Sequence, residues 1–162
     1  MQPFKSSPAP ENTRAIPGAV FHFLVRGEQT GGTFSLIQIE VQRGAEPPAH
    51  VHQREDESYY VLAGSVRYYA GGQEFVANAG DYVYLPKGVT HQFHVLSESA
   101  RLLMWISPAT LDEWFWANSA PAPDGKPLPV PPGPPPQEAV NHFVSTLAEY
   151  GVIMQPALAF LH

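Results

Sequence analysis

Cysteine is absent from the chain. That excludes a disulfide framework, a thiolate nucleophile, an iron–sulfur cluster and any cysteine-based zinc site, so a bound metal must rest on histidine and carboxylate. Positive charge is scarce: nine Lys and Arg stand against fifteen Asp and Glu, a formal charge of −6. This is the wrong sign for neutralising phosphates, and nucleic acid and anionic membrane are excluded as partners. No apolar run reaches the length of a membrane span. The opening stretch MQPFKSSPAPENTRAIPG is broken by Pro and Ser where a signal peptide needs an unbroken apolar core. The expectation is a soluble, cytoplasmic protein. Apolar residues are ample at 44 %, enough to build a core, and 162 residues fit one compact domain better than a multidomain enzyme.

From Ala19 to Ser107 the sequence is a series of short β-branched and aromatic runs separated by Gly, Pro and Asn: AVFHFLVR, TFSLIQIEV, ESYYVLA, SVRYYA, QEFVA, DYVYL, HQFHVL and RLLMWIS. Eight such runs predict an all-β sandwich or small barrel over residues 19–107. Ala70-Gly71-Gly72-Gln73 reads as a hairpin turn between two of them. Residues 1–18, with four prolines, read as an extended N-terminal arm. Thr110 to Glu113 spells a capping box, placing a short helix with Trp114, Phe115 and Trp116 inside residues 108–120. Residues 121–136 hold nine of the eighteen prolines and read as an extended linker. Val140, Phe143, Val144 and Leu147 recur at helical spacing before Gly151. Residues 137–162 therefore read as an amphipathic helix and an apolar tail that dock on the barrel or on a second subunit.

One constellation carries chemistry. Gly44 is followed at fixed intervals by His50, His52, Glu57 and Gly64, and Gly80 by Pro86, Gly88 and His91. His50 and His52, two apart, point to one face of a strand. Gln53 to Asp56 reads as a solvated charged turn, after which Glu57, Tyr59 and Val61 point inward from a new strand. The turn at Pro86 and Gly88 then delivers His91, with Phe93 on its side, to complete a set of three imidazoles and one carboxylate. Such a set suits one divalent transition metal: iron, manganese, nickel, cobalt, copper or zinc. An octahedral ion held this way keeps positions open for water, substrate or dioxygen. The remaining histidines, His22, His94, His142 and His162, read as structural. Tyr82 and Tyr84 share the face opposite Val83 and Leu85, so they cover the outside of the barrel or a subunit interface.

These nine residues at this spacing resemble the two-part signature of the cupin superfamily. Recurrence by chance is on the order of 10⁻¹² per starting position at ordinary residue frequencies. The resemblance implies a double-stranded β-helix, the cupin or jelly-roll barrel, with a metal inside its wider end. The longer stretches PPAHVHQREDESYYVLAGSV, DYVYLPKGVTHQF and PATLDEWF resemble small single-domain cupins of the quercetin 2,3-dioxygenase-like kind. By that resemblance His50, His52 and His91 hold the ion, and Glu57 is either the fourth ligand or the general base that takes the proton of a substrate hydroxyl. The implied partners are a small-molecule substrate and dioxygen, and a second copy of the chain in a homodimer. Phe34, Leu36, Tyr59, Phe93, Met104 and Trp105 are the expected pocket residues. Val95 stands where the second motif often ends in Asn, which points to a more apolar pocket. Two other readings compete with a dioxygenase: a cupin isomerase, cyclase or lyase using the ion as Lewis acid, and a small-molecule-binding module without chemistry.

Overall fold

The computed structural model describes residues 2–155. Twelve strands form two antiparallel sheets among these residues. In chain order they are β1 (Thr13–Ile16), β2 (Ala19–Val25), β3 (Ser35–Gln42), β4 (His50–His52), β5 (Asp56–Ala63) and β6 (Ser65–Ala70), then β7 (Gln73–Asn78), β8 (Tyr82–Leu85), β9 (His91–Val95), β10 (Ser99–Ser107), β11 (Ala120–Pro121) and β12 (Val152–Met154). One sheet runs β11-β1-β2-β3-β10-β5-β8 and the other β12-β4-β9-β6-β7. The chain passes repeatedly between the sheets from β3 to β10, giving the two-sheet all-β architecture that the short alternating runs predict and the jelly-roll form that the resemblance implies.

Alternation sets the inner face. On β10, Ala100, Leu102, Met104 and Ile106 are buried and pack against inward residues of β3 such as Ile37 and Ile39. On β8, Val83 and Leu85 are buried while Tyr82 and Tyr84 are exposed, so the tyrosines do lie outside. In the core, Tyr59, Tyr68 and Phe93 meet with ring centroids 5.7 to 5.9 Å apart, an aromatic cluster on the inner faces of β5, β6 and β9. Ala70 pairs with Gln73, and Gly71 and Gly72 take φ of +57° and +79°, the left-handed turn that a two-residue hairpin requires.

Outside residues 19–107 the structure revises several readings. The N-terminal arm is not merely extended: Thr13–Ile16 pair with Ala19–His22 as strand β1, because a four-residue strand between prolines carries too little pattern to be read. The proline-rich stretch is extended, as expected, but pinned. Ala122 N–H donates to Thr13 O, Leu128 N–H to Ile16 O, and Gly18 N–H to Leu128 O. A short helix α1 (Gly27–Thr30) links β2 to β3, and α2 (Leu111–Ala117) follows β10. Thr110 makes no side-chain capping bond at α2, so the capping-box reading fails. Asp112 instead turns inward and accepts from Gly27 N–H at 3.0 Å. Trp116 of α2 lies between the guanidinium groups of Arg14 and Arg26, 4.7 and 4.5 Å from its ring centre.

The late helix, α3 (Gln137–Glu149), is present and docks on its own barrel. Leu147 is buried, Phe143 packs edge-on against Trp114, and Trp114 Nε1–H donates to Thr146 Oγ1 at 3.0 Å. Val144, counted in the apolar stripe, is exposed, since only the Phe143–Leu147 edge reaches the barrel. After Gly151 the chain returns as β12 and pairs with β4, Val152 opposite His52 and Met154 opposite His50. Part of the apolar tail and His162 lie outside the described residues. No helix of the described residues is long and apolar enough to cross a membrane.

Candidate metal centre and its cavity

The four residues singled out by spacing come together from both sheets. His50 and His52 sit on β4 and His91 on β9, where His50 and His91 are direct cross-strand partners; Glu57 reaches in from β5 of the opposite sheet. One ligand atom from each of the four lies within 4.8 Å of all the others, and all four residues are buried. Glu57 Oε2 is 3.4 Å from His91 Nε2 and 3.9 Å from His52 Nε2. Between strands, Gly64 turns the chain from β5 to β6 at φ +87°. A Cβ there would stand 2.6 Å from Ser99 O, so glycine is required on both counts.

The imidazoles are oriented by what their far nitrogens bind. His50 Nδ1 faces Pro48 O at 2.7 Å and His91 Nδ1 faces Val89 O at 3.0 Å. A carbonyl can only accept, so each Nδ1 carries the proton and each Nε2 offers its lone pair toward the centre. His52 Nε2, His91 Nε2 and Glu57 Oε2 are buried without a hydrogen-bond partner. Three unsatisfied donor atoms converging on one point are costly unless something bonds them together, and a divalent cation satisfies all of them. The set fits a divalent metal site.

Charge couples these groups. Burial alone would raise the Glu57 carboxyl, but the His52, His91 and His50 imidazoles around it bring it down to about 2. His50 falls to about 4 through burial and the neighbouring His91, which favours its neutral, metal-binding form. His52 is pulled down by burial, yet the carboxylates of Glu57 and Glu55 more than offset this and hold it above its ordinary value. Burial, then the Glu57 charge, pushes the Tyr59 hydroxyl well above its ordinary value, so it remains protonated.

The presence of Glu55 in that account is a correction. The turn Gln53–Asp56 is not uniformly solvated: Gln53 and Arg54 are exposed, but Glu55 is 0 % exposed and its Oε1 is 3.7 Å from His52 Nδ1. A run of like charges gave no sign that one member turns inward.

Beside His50, His52 and Glu57 lies a cavity of about 460 Å³. These three residues form a polar end; Glu46, Asn118 and His142 also border the cavity, and the remaining lining is mostly apolar. Of the six expected pocket residues, Tyr59, Phe93 and Met104 line it. Phe34, Leu36 and Trp105 do not. Trp105 alternates with Met104 on β10 and so faces outward, where its ring stacks on Phe34 at 4.4 Å and Leu36 is its cross-strand partner. Val95 is buried in the core but does not line the cavity, so the apolar character of the pocket does not come from replacing Asn there. It comes from inward barrel residues such as Phe21, Ile39, Val41 and Met104, and from residues outside the barrel strands that the sequence reading missed: Leu111, Trp114 and Phe115 of α2, and Phe143 and Leu147 of α3. His142, read as structural, stands among the cavity-lining residues on α3. The aromatic WFW run and the stripe on α3 were visible in sequence, but nothing in it said that both helices roof the barrel mouth.

Residues 37–106 match the family model described as the Cupin domain. Over 106 residues the chain is 26 % identical to a quercetin 2,3-dioxygenase of Bacillus subtilis, a match covering 65 % of this chain and 32 % of that protein. The chain thus spans about a third of that relative's length. It is 30 % identical over 108 residues to an uncharacterised protein of Streptomyces coelicolor, covering 67 % of this chain and 97 % of the other. Among solved structures it is similar to Pac13, a nucleoside dehydratase of Streptomyces, with a TM-score of 0.54 and 19 % identity over 68 % of this chain and 88 % of that one. At that identity the likeness is one of fold.

Proposed function

The chain belongs to the cupin family, and from that premise we propose that it is a metal-dependent dioxygenase acting on a flavonol-like or other enolisable aromatic substrate. The supporting observation is the junction of two unlike surfaces: an apolar cavity roofed by Trp114, Phe115 and Phe143 ends on His50, His52 and Glu57. A volume of about 460 Å³ suits a drug-sized molecule, and aromatic walls favour a planar aromatic ring system over a bare sugar. Similarity to a quercetin 2,3-dioxygenase supports the same reading.

In this reading His50, His52 and His91 would hold one divalent ion through Nε2. When bound, the ion would supply Lewis-acid and redox chemistry toward substrate and dioxygen. The chain's own residues do the rest. Phe93, Trp114 and Phe115 hold the rings and exclude water, leaving the substrate hydroxyl as the polar group that meets the carboxylate end. Glu57, ionised at neutral pH because of the imidazoles around it, accepts the hydroxyl proton at Oε2 or stays as fourth ligand. Glu57→Gln separates the two roles, since a base can be lost while most of the metal is kept.

Oxygen uptake with quercetin tests the proposal, on protein loaded separately with iron(II), manganese, cobalt, nickel and zinc. Uptake with at least one ion, absent in His91→Ala and in Glu57→Gln that still carries metal, is the expected result. No uptake with any ion, on quercetin or on a panel of aromatic enols, overturns it in favour of redox-neutral or binding-only chemistry.

A further inference from the structure

Two of the three imidazoles are held by backbone carbonyls, and the third is not. His50 and His91 each place Nδ1 against the carbonyl two residues earlier, while His52 Nδ1 faces no carbonyl and makes no ordinary hydrogen bond. What it faces is Glu55, at 3.7 Å. Both Glu55 carboxylate oxygens are buried without a hydrogen-bond partner, and His52 is its only ion-pair partner among the described residues. A carboxylate out of water with nothing to bond is a substantial cost to folding unless it serves a neighbour. A displacement of about 0.8–1.0 Å brings the two groups to charge-assisted hydrogen-bond length.

We propose that Glu55 is a positioning residue: its carboxylate accepts a hydrogen bond from His52 Nδ1–H, fixes that ring with Nε2 toward the centre, and makes His52 a more strongly donating metal ligand than His50 or His91. This rests on the metal-site reading above. Ligating histidines commonly use their second nitrogen in this way, and a carboxylate partner raises donor strength more than a carbonyl does. Charge supports the arrangement. Two buried carboxylates, Glu55 and Glu57, balance one dication across a site that holds no other formal charge once the imidazoles are neutral. The three-residue turn Gln53 to Glu55 is what brings the carboxylate beneath the ring, so the loop between the metal-bearing strands is itself part of the centre.

The test measures Co²⁺ affinity of the full chain by chelator competition, together with the Co²⁺ absorption spectrum and the melting temperature of the metal-free protein, for wild type, Glu55→Gln, Glu55→Ala and His91→Ala. Glu55→Ala should weaken Co²⁺ binding about 10- to 100-fold. Glu55→Gln, which keeps an acceptor of the same size but no charge, should weaken it less and shift the spectrum. Glu55→Gln should not lower the melting temperature of the metal-free protein, because it keeps the volume of a buried carboxylate whose oxygens make no hydrogen bond. Glu55 variants that bind Co²⁺ like wild type with the same spectrum, while His91→Ala loses it, overturn the inference and leave the metal site standing. Absence of Co²⁺ binding in wild type, or unchanged binding in His91→Ala, overturns the site and this inference together.

Discussion

Replacing Leu147 by Ala should loosen the C-terminal segment while leaving the barrel folded. Leu147 is 5 % exposed and is the one buried residue that α3 contributes. It also borders the cavity, so one side of its side chain already lacks packed neighbours to lose. Leu→Ala in a packed core costs about 2–5 kcal/mol, and a site already beside a void belongs near the low end, about 2–3 kcal/mol. The α3–β12 segment is joined to the rest through the Trp114–Thr146 hydrogen bond and the β12–β4 ladder. It can therefore open while β3, β10 and β5 stay paired, and the loss appears as local opening. At 1.4 kcal/mol per decade this is roughly a 30- to 150-fold increase in the open fraction. Native-state hydrogen exchange reads it directly. The Gln155 amide, which donates to Ala49 O, and the Gln53 amide, which donates to Gly151 O, should exchange faster by that factor, and the Leu102 and Met104 amides of β10 should not. A uniform loss would lower Tm by about 4–12 °C, and local opening lowers it by less. Unchanged exchange at Gln53 and Gln155, or equal acceleration in β10, refutes the reasoning.

Two further predictions follow from the electrostatics and the cavity. In metal-free protein, His50 is lowered from 6.5 to about 4 and Glu57 from 4.5 to about 2, so both resist protonation more when folded than unfolded. Their stabilisation is complete above the unfolded values and is lost as pH falls, from 6.5 toward 4 for His50 and from 4.5 toward 2 for Glu57. His52, held high, has the opposite sign: its contribution is already complete below 6.5 and fades only as pH rises through its folded value. Melts of chelator-treated protein should thus decline steadily below pH 6.5, and a flat Tm between 6.5 and 4 contradicts this account. Separately, Phe143→Ala should raise KM for an aromatic substrate several-fold, whereas Trp105→Ala should leave kcat/KM within about twofold, because only the former lines the cavity. Equal effects would show that the substrate lies elsewhere.

Much of this was legible in sequence for a specific reason. Strand alternation and ligand spacing are local properties, so the inward face of β10, the Gly71-Gly72 turn and the gathering of His50, His52, Glu57 and His91 follow from intervals of a few residues. Register is the weak point: moving β10 by one residue exchanges Met104 for Trp105, and the expected pocket contained both. Burial of Glu55 depends on how a loop folds over its own strand, for which composition gives no signal. The cavity roof depends on α2 and α3 meeting about thirty residues apart in the chain, as Trp114 and Thr146 do. Strands β1, β11 and β12, of two to four residues each, are too short for any period to register.

Pairing of β12 with β4 also orders events in time. Val152 stands opposite His52, one hundred residues later in the chain. At ordinary rates of synthesis this interval takes about 5–20 s, during which the nascent barrel has β4 as the outer strand of its smaller sheet. An unpaired strand edge is a template for another chain, and here the edge carries His50 and His52 of the candidate metal centre. Its length of three residues limits the hazard, since so short a strand offers few backbone groups to a stranger while remaining long enough for its own late-arriving partner.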